Sequence, residues 1–108
     1  MKEIYITSAV RTAVGSLGKT LKNISAEVLG SRVITEAINK SKIKNIEIDE
    51  VILGQVLTGG AGQNPARQAA INAGINISKP AHIVNQVCGS GLRAVISGYQ
   101  SIKLGEAK

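Results

Sequence analysis

Phenylalanine and tryptophan are absent from this chain of 108 residues, and two tyrosines are its only aromatics. Any core must therefore be built from Ile, Val, Leu and Ala, which pack closely but give little volume. The same scarcity removes the aromatic platforms on which single-stranded nucleic acid stacks. Acidic residues are also few, 7 against 13 Lys and Arg, for a formal charge of +6. Such a balance suits an anionic partner, but its distribution does not. Lys40, Lys42 and Lys44 form the only local cluster. They fall at the end of a helix, where cations complement the dipole, so a solvated helix end is the preferred reading and no nucleic-acid or membrane partner is expected. A single cysteine excludes an internal disulfide, and Cys88 with the lone histidine, His82, supplies too few ligands for structural zinc. That usage points to a reducing compartment. No stretch reaches membrane-spanning length, and Met1 to Ile6 runs straight into a strand without the pattern of a signal or transit peptide, so a cytoplasmic protein is expected.

What is present is a hydrophobic fraction of 44% punctuated by twelve glycines, the composition of one small globular α/β unit spanning residues 1–108. Glu3 to Ala9 reads as a strand with apolar side chains on both faces, as in a covered sheet. Arg11 to Leu21 is a loop, in which Arg11 ties backbone carbonyls together. A helix starts after Ser25, whose hydroxyl is placed to accept an orphan N–H, and ends near Asn39 to Ser41. Its apolar face is Val28, Leu29, Val33, Ile34, Ala37 and Ile38. Val51 to Leu57 is a buried strand by its apolar run. Thr58 to Gln63 holds three glycines but lacks the Lys-Ser/Thr ending of a phosphate loop and the dinucleotide fingerprint, which leaves a turn. Asn64 as N-cap, Pro65 in the first turn and Gly74 beyond Ala73 frame a short helix. Its Ala66, Ala69, Ala70 and Ala73 allow another backbone to come close.

The richest stretch is Ala81 to Ile102. Its first part, with Ile83, Val84 and Val87, predicts a short buried strand; Leu92, Val95, Ile96, Tyr99 and Ile102 then recur on one helical face, with Gly105 as the cap. Between them, Cys88 lies in a turn relieved of bulk by Gly89, Ser90 and Gly91. A thiol is thus held at a helix start, where unpaired N–H groups and the dipole favour thiolate and can also receive an oxyanion. Two readings stand at this point: a nucleophile, or one more cysteine behaving as a small buried hydrophobe. His82 is not its partner. Six residues of extended chain separate the two by about 20 Å, so a base must come from elsewhere.

The run Asn85-Gln86-Val87-Cys88-Gly89-Ser90-Gly91-Leu92-Arg93-Ala94-Val95 resembles the acyl-enzyme motif of the thiolases, most closely those of the biosynthetic, acetyl-CoA-condensing type. Arg11 to Gly15, Asp49 to Gly54 and Gly60 to Ala70 resemble that family's opening loop, second strand and following segment, in the same order. The resemblance implies that the β-α-β-α-β-α order read above is part of one half of a five-layer αβαβα fold, with a parallel sheet, right-handed crossovers and two further strands to complete the sheet. It implies acetyl-CoA C-acetyltransfer, the condensation of two acetyl-CoA molecules or its reverse, with Cys88 carrying the acyl group and its backbone N–H in the oxyanion hole. Coenzyme A thioesters are then substrates, no cofactor or metal is needed, and the whole protein is a homodimer or homotetramer. The family's catalytic His in Gly-His-Pro, Asn in Asn-Glu-Ala-Phe and second Cys in Cys-x-Gly have no counterpart among these 108 residues, so the chain alone is expected to be inactive. A 3-ketoacyl-CoA thiolase of broader chain length, a β-ketoacyl synthase relative and a non-catalytic domain of the same fold remain as alternatives.

Overall fold

Two strands pair in parallel, and everything that positions Cys88 is arranged around them. The structure, a computed structural model, describes residues 2–108. Helix α1 (Ala26–Ser41) leads through a single 3-10 turn (Asn45–Glu47) to strand β1 (Val51–Gly54). Helix α2 (Pro65–Asn72), strand β2 (Ala81–Val84) and helix α3 (Ser90–Leu104) follow. The register sets Val51 against Ala81 and Gly54 against Val84. Ladder bonds continue at both ends, from Val51 N–H to the Pro80 carbonyl and from Gln55 N–H to the Val84 carbonyl, each 3.1 Å.

Alternation along β1 divides the molecule into layers. Val51 and Leu53 join a core cluster with Ile34 and Ile38 of α1, Ala70 of α2 and Ile75. Ile52 and Gly54 face the other way, towards α3. The result is a helix pair, a sheet and a third helix, the α/β layering expected for part of the five-layer fold.

The caps of α2 form as the sequence predicts. Asn64 Oδ1 accepts from Arg67 N–H at 3.1 Å, and Asn64 Nδ2 donates to the Ala81 carbonyl at 2.9 Å, tying the helix start to β2. At the other end Gly74, at φ 83°, gives its N–H to Ile71 and Ile75 gives its own to Ala70, so the orphan carbonyls are satisfied and Ile75 folds back into the core. All four alanines are buried. A Cβ on Gly30 of α1 would stand 3.1 Å from that of Ala69, which shows how closely the two helices approach. Replacing Asn64 by Ala removes both bonds and leaves a non-glycine Cβ at φ 46° without the local hydrogen bonding that suits Asn there. We expect a loss of about 1–2 kcal/mol, read from the urea midpoint of the whole protein.

Four expectations are corrected. Glu3 to Ala9 forms no ladder: Tyr5 and Ile6 are exposed, and the segment is held from Lys2, whose carbonyl takes the Lys103 ammonium of α3, to Ser8, whose hydroxyl donates to Ala37 of α1. The segment thus bridges α3 and α1 without a neighbouring strand to pair with among the described residues. Strand β1 stops at Gly54 and not Leu57, because β2 ends at Val84. Beyond that point side chains replace the ladder, with Gln55 Nε2 donating to Leu57 and Asn85 Nδ2 to Val56.

Ser25 does occupy the N-cap of α1, but its hydroxyl donates to Glu27 Oε1 at 2.6 Å and caps no N–H. A carboxylate is the stronger partner, and that bond is the first cause holding the Glu27 carboxyl below its ordinary range. Most of the predicted apolar stripe of α3 points away from the sheet, Ile102 excepted. Leu92 is 68% exposed and Val95 55%, while Ala94, Gly98 and Ser101 lie on the side of β1. The helix touches β1 at its start, against Gly54, and beyond that Ala94, Gly98 and Ser101 line an open groove beside Ile52.

Candidate active site

The turn between β2 and α3 is fixed by side chains at both of its ends. Asn85 Oδ1 accepts from Val87 N–H at 2.9 Å, closing an Asx-type turn. Ser90, the one buried polar side chain in the chain's described part, accepts from Gln86 N–H at 3.0 Å and donates to the Val87 carbonyl at 2.6 Å. Gly89 N–H reaches the Gln86 carbonyl at 3.0 Å, and Arg93 Nε holds Gln86 Oε1 at 3.2 Å. The turn therefore has few free groups of its own.

Helix α3 starts at Ser90 behind Gly89, which puts Cys88 two residues before the first helical residue. The thiol is free and exposed within these residues, with no apolar packing over it here. Among the described residues, the N–H of Cys88 has no acceptor, nor do those of Gly91 and Leu92. The Cys88 N–H, on the same residue as the sulfur, is a donor that an anion formed there can use.

The helix start is held against β1 by close contact. A Cβ built on Gly54 would lie 2.5 Å from the Ser90 carbonyl carbon and 2.6 Å from Gly91 N. Only glycine permits this approach, and it sets the height of the Cys88 turn above the sheet. The left-handed residue of the turn is Val87, at φ 50°, and not one of the glycines: Gly89 sits at φ −87°.

The other residues considered from sequence fall elsewhere. His82 Nδ1 faces Glu50 Oε1 at 3.4 Å, and Ser101 Oγ of α3 donates to Glu50 Oε2 at 2.9 Å, so the histidine belongs to a tie between β2, β1 and α3 and not to the sulfur. Arg11 donates to the Thr12 carbonyl, the loop role expected. The glycine-rich segment is a turn: Ala61 N–H bonds Thr58, and Gln68 Nε2 donates to the Ala61 and Gln63 carbonyls at 2.8 and 2.9 Å. The sequence offers no role for Gly54 or Asn85 and shows Ser90 only as a small residue of the turn; Val87, expected in the buried strand, is corrected, since β2 ends at Val84 and Val87 lies exposed in the turn. A glycine inside an apolar strand run is the one available signal for close backbone approach.

Comparison with known proteins adds the lineage. Residues 4–108 match the family model described as thiolase, N-terminal domain. The acetyl-CoA acetyltransferase of Pseudomonas aeruginosa is 50% identical over 108 residues, which is all of this chain and 28% of that protein. The cytosolic acetyl-CoA acetyltransferase of Rattus norvegicus is 46% identical over 104 residues, 96% of this chain and 26% of that one. Among solved structures, a thiolase from Ascaris suum crystallised in complex with coenzyme A superposes with a TM-score of 0.96 at 43% identity, covering 99% of this chain and 28% of that chain. The chain thus spans little more than a quarter of the length of these relatives.

Proposed function

The chain belongs to the thiolase family, and on that premise we propose that it is the acyl-carrying part of an acetyl-CoA C-acetyltransferase, with Cys88 as the nucleophile. The observation that carries this reading is the presentation of Cys88: an exposed, free thiol ahead of α3 whose own N–H has no acceptor among the described residues. The sulfur attacks the thioester carbonyl of acetyl-CoA, forming a new C–S bond. Negative charge develops on the carbonyl oxygen, and the Cys88 N–H is one donor for it. As the tetrahedral intermediate collapses, the bond to the coenzyme A sulfur breaks. The coenzyme leaves as a thiol and the acetyl group stays on Cys88 as a thioester. The α-carbon of a second acetyl-CoA, after losing a proton to a base, attacks that thioester to give acetoacetyl-CoA and free Cys88; run backwards, this is thiolysis.

The base is not His82, which is engaged with Glu50, so it comes from outside these residues. Coenzyme A thioesters are the substrates in this reading and no further cofactor is required, in keeping with relatives named as acetyl-CoA acetyltransferases and with the coenzyme A complex of the Ascaris suum thiolase. The whole protein would work as a homodimer or homotetramer in a reducing cytoplasm.

Whole protein mixed with acetyl-CoA and quenched in acid is expected to carry about 42 Da of added mass on the peptide containing Cys88, the change from thiol to acetyl thioester. Cys88→Ala should abolish both the label and acetoacetyl-CoA thiolysis. Acetylation mapping to another residue, with Cys88 unmodified, would sink the assignment.

A further inference from the structure

Val87 breaks a local rule at the residue before Cys88. A β-branched side chain at φ 50° is disfavoured, because its Cβ crowds the neighbouring carbonyl, and left-handed residues are ordinarily Gly, Asn or Asp. Packing within these residues does not explain the choice, since Val87 is 63% exposed. The backbone is instead held from both sides: its N–H by Asn85 Oδ1, its carbonyl by Ser90 Oγ and, at 3.2 Å, by Ser90 N–H. Glycine at this position would accept the same bonds at lower cost. Strain that the surroundings enforce is characteristic of working sites.

We propose that Val87 is a positioning residue whose β-branched side chain narrows the conformational freedom of the turn and so fixes the direction in which Cys88 presents its sulfur. The inference rests on the acyl-transfer reading above. A left-handed well is high in energy for valine but also narrow, whereas glycine moves freely through the whole positive-φ region. With the Asn85 and Ser90 bonds selecting that well, valine leaves the following peptide little room to rotate. Alignment of the attacking sulfur is what such restriction supplies to an acyl transfer.

Opposite signs of effect on stability and on rate separate this role from a structural one. In the whole protein, Val87→Gly is expected to leave the melting temperature unchanged or raised, because strain is relieved. Its kcat for acetoacetyl-CoA thiolysis should fall by about tenfold or more, with KM within about twofold. Val87→Thr, which keeps the β-branch, should restore kcat to within about threefold of the wild type. The rate of Cys88 acetylation by acetyl-CoA, followed by mass spectrometry, should rank the three proteins in the same order. A Val87→Gly protein with full kcat would overturn the proposal, as would a fall in kcat matched by a fall in melting temperature. If the wild type is not acetylated at Cys88 at all, the acyl-transfer reading fails and this one with it. Equal acetylation of all three proteins overturns the positioning role alone.

Discussion

Gly54→Ala in the whole protein is expected to cost about 1–3 kcal/mol of stability or more, and to slow acyl transfer by about a hundredfold. The added Cβ would stand 2.5–2.6 Å from three backbone atoms, the carbonyl carbon and oxygen of Ser90 and the nitrogen of Gly91. Backbone cannot rotate out of the way as a flexible side chain can, so α3 or β1 must move by on the order of 1 Å to restore ordinary contact. Either movement reaches Cys88. Ser90 is the residue displaced, and its hydroxyl ties Gln86 N–H and the Val87 carbonyl; lifting the helix start pulls on the turn that holds the thiol. Urea unfolding and steady-state thiolysis measure the two effects. A Gly54→Ala protein with wild-type stability and rate would show that the helix start is free to shift without consequence.

Features written in neighbouring residues were legible in the sequence. Asn64, Pro65 and Gly74 frame α2 because a cap depends on three or four adjacent positions, and Gly105 ends α3 for the same reason. The place of Cys88 before a helix was legible because a lone cysteine among Gly89, Ser90 and Gly91 separates a strand pattern from a helical one. Features that depend on distant partners were not. The alternation of Glu3 to Ala9 describes a strand, but a strand exists only where another lies beside it, and nothing local says where that neighbour is. The stripe Leu92, Val95, Ile96 and Tyr99 shows which side of α3 is apolar, not which side meets this sheet; the contact of the helix start with Gly54 decides that. Ser25 stands at the N-cap as its position implies, but its hydroxyl donates to Glu27 Oε1 and no N–H reaches its oxygen, a matter of rotamer that the order of residues does not contain. In the site itself, the sulfur was visible from its neighbours. The clamp that aims it needed coordinates, because Val87 carries no sign of a left-handed backbone and the bond from Ser90 back to Gln86 spans a turn whose shape it helps to create.

Residues 1–108 purified by themselves are expected to melt broadly, without a cooperative transition, and to show no thiolysis. The solvent-accessible surface is 7653 Å². A compact monomer of this mass, 11.2 kDa, would expose about 5,700 Å², so on the order of 2,000 Å² remains open that a self-sufficient domain would have covered. Much of the open surface is apolar: Leu92, Val95 and Tyr99 on α3, with Leu17 and Leu57 on the loops, are each at least 49% exposed. Of the large apolar side chains among the described residues only Ile38, Val51 and Ile75 fall below a tenth exposed, and none is fully buried. Both strands of the sheet are edges, and the Glu3 to Ala9 segment has no ladder at all. Against a chain-entropy cost of about 1–2 kcal/mol per ordered residue, so little burial does not sustain a cooperative fold. On the proposed acyl-transfer reading catalysis fails independently of folding, since the one histidine, His82, is engaged with Glu50 and the base has to come from elsewhere. Calorimetry and a dye that binds exposed apolar surface test the first claim, and acetoacetyl-CoA thiolysis against a Cys88→Ala control tests the second. A sharp, reversible melt would refute the folding argument; turnover above the control would show that the base lies within these 108 residues after all.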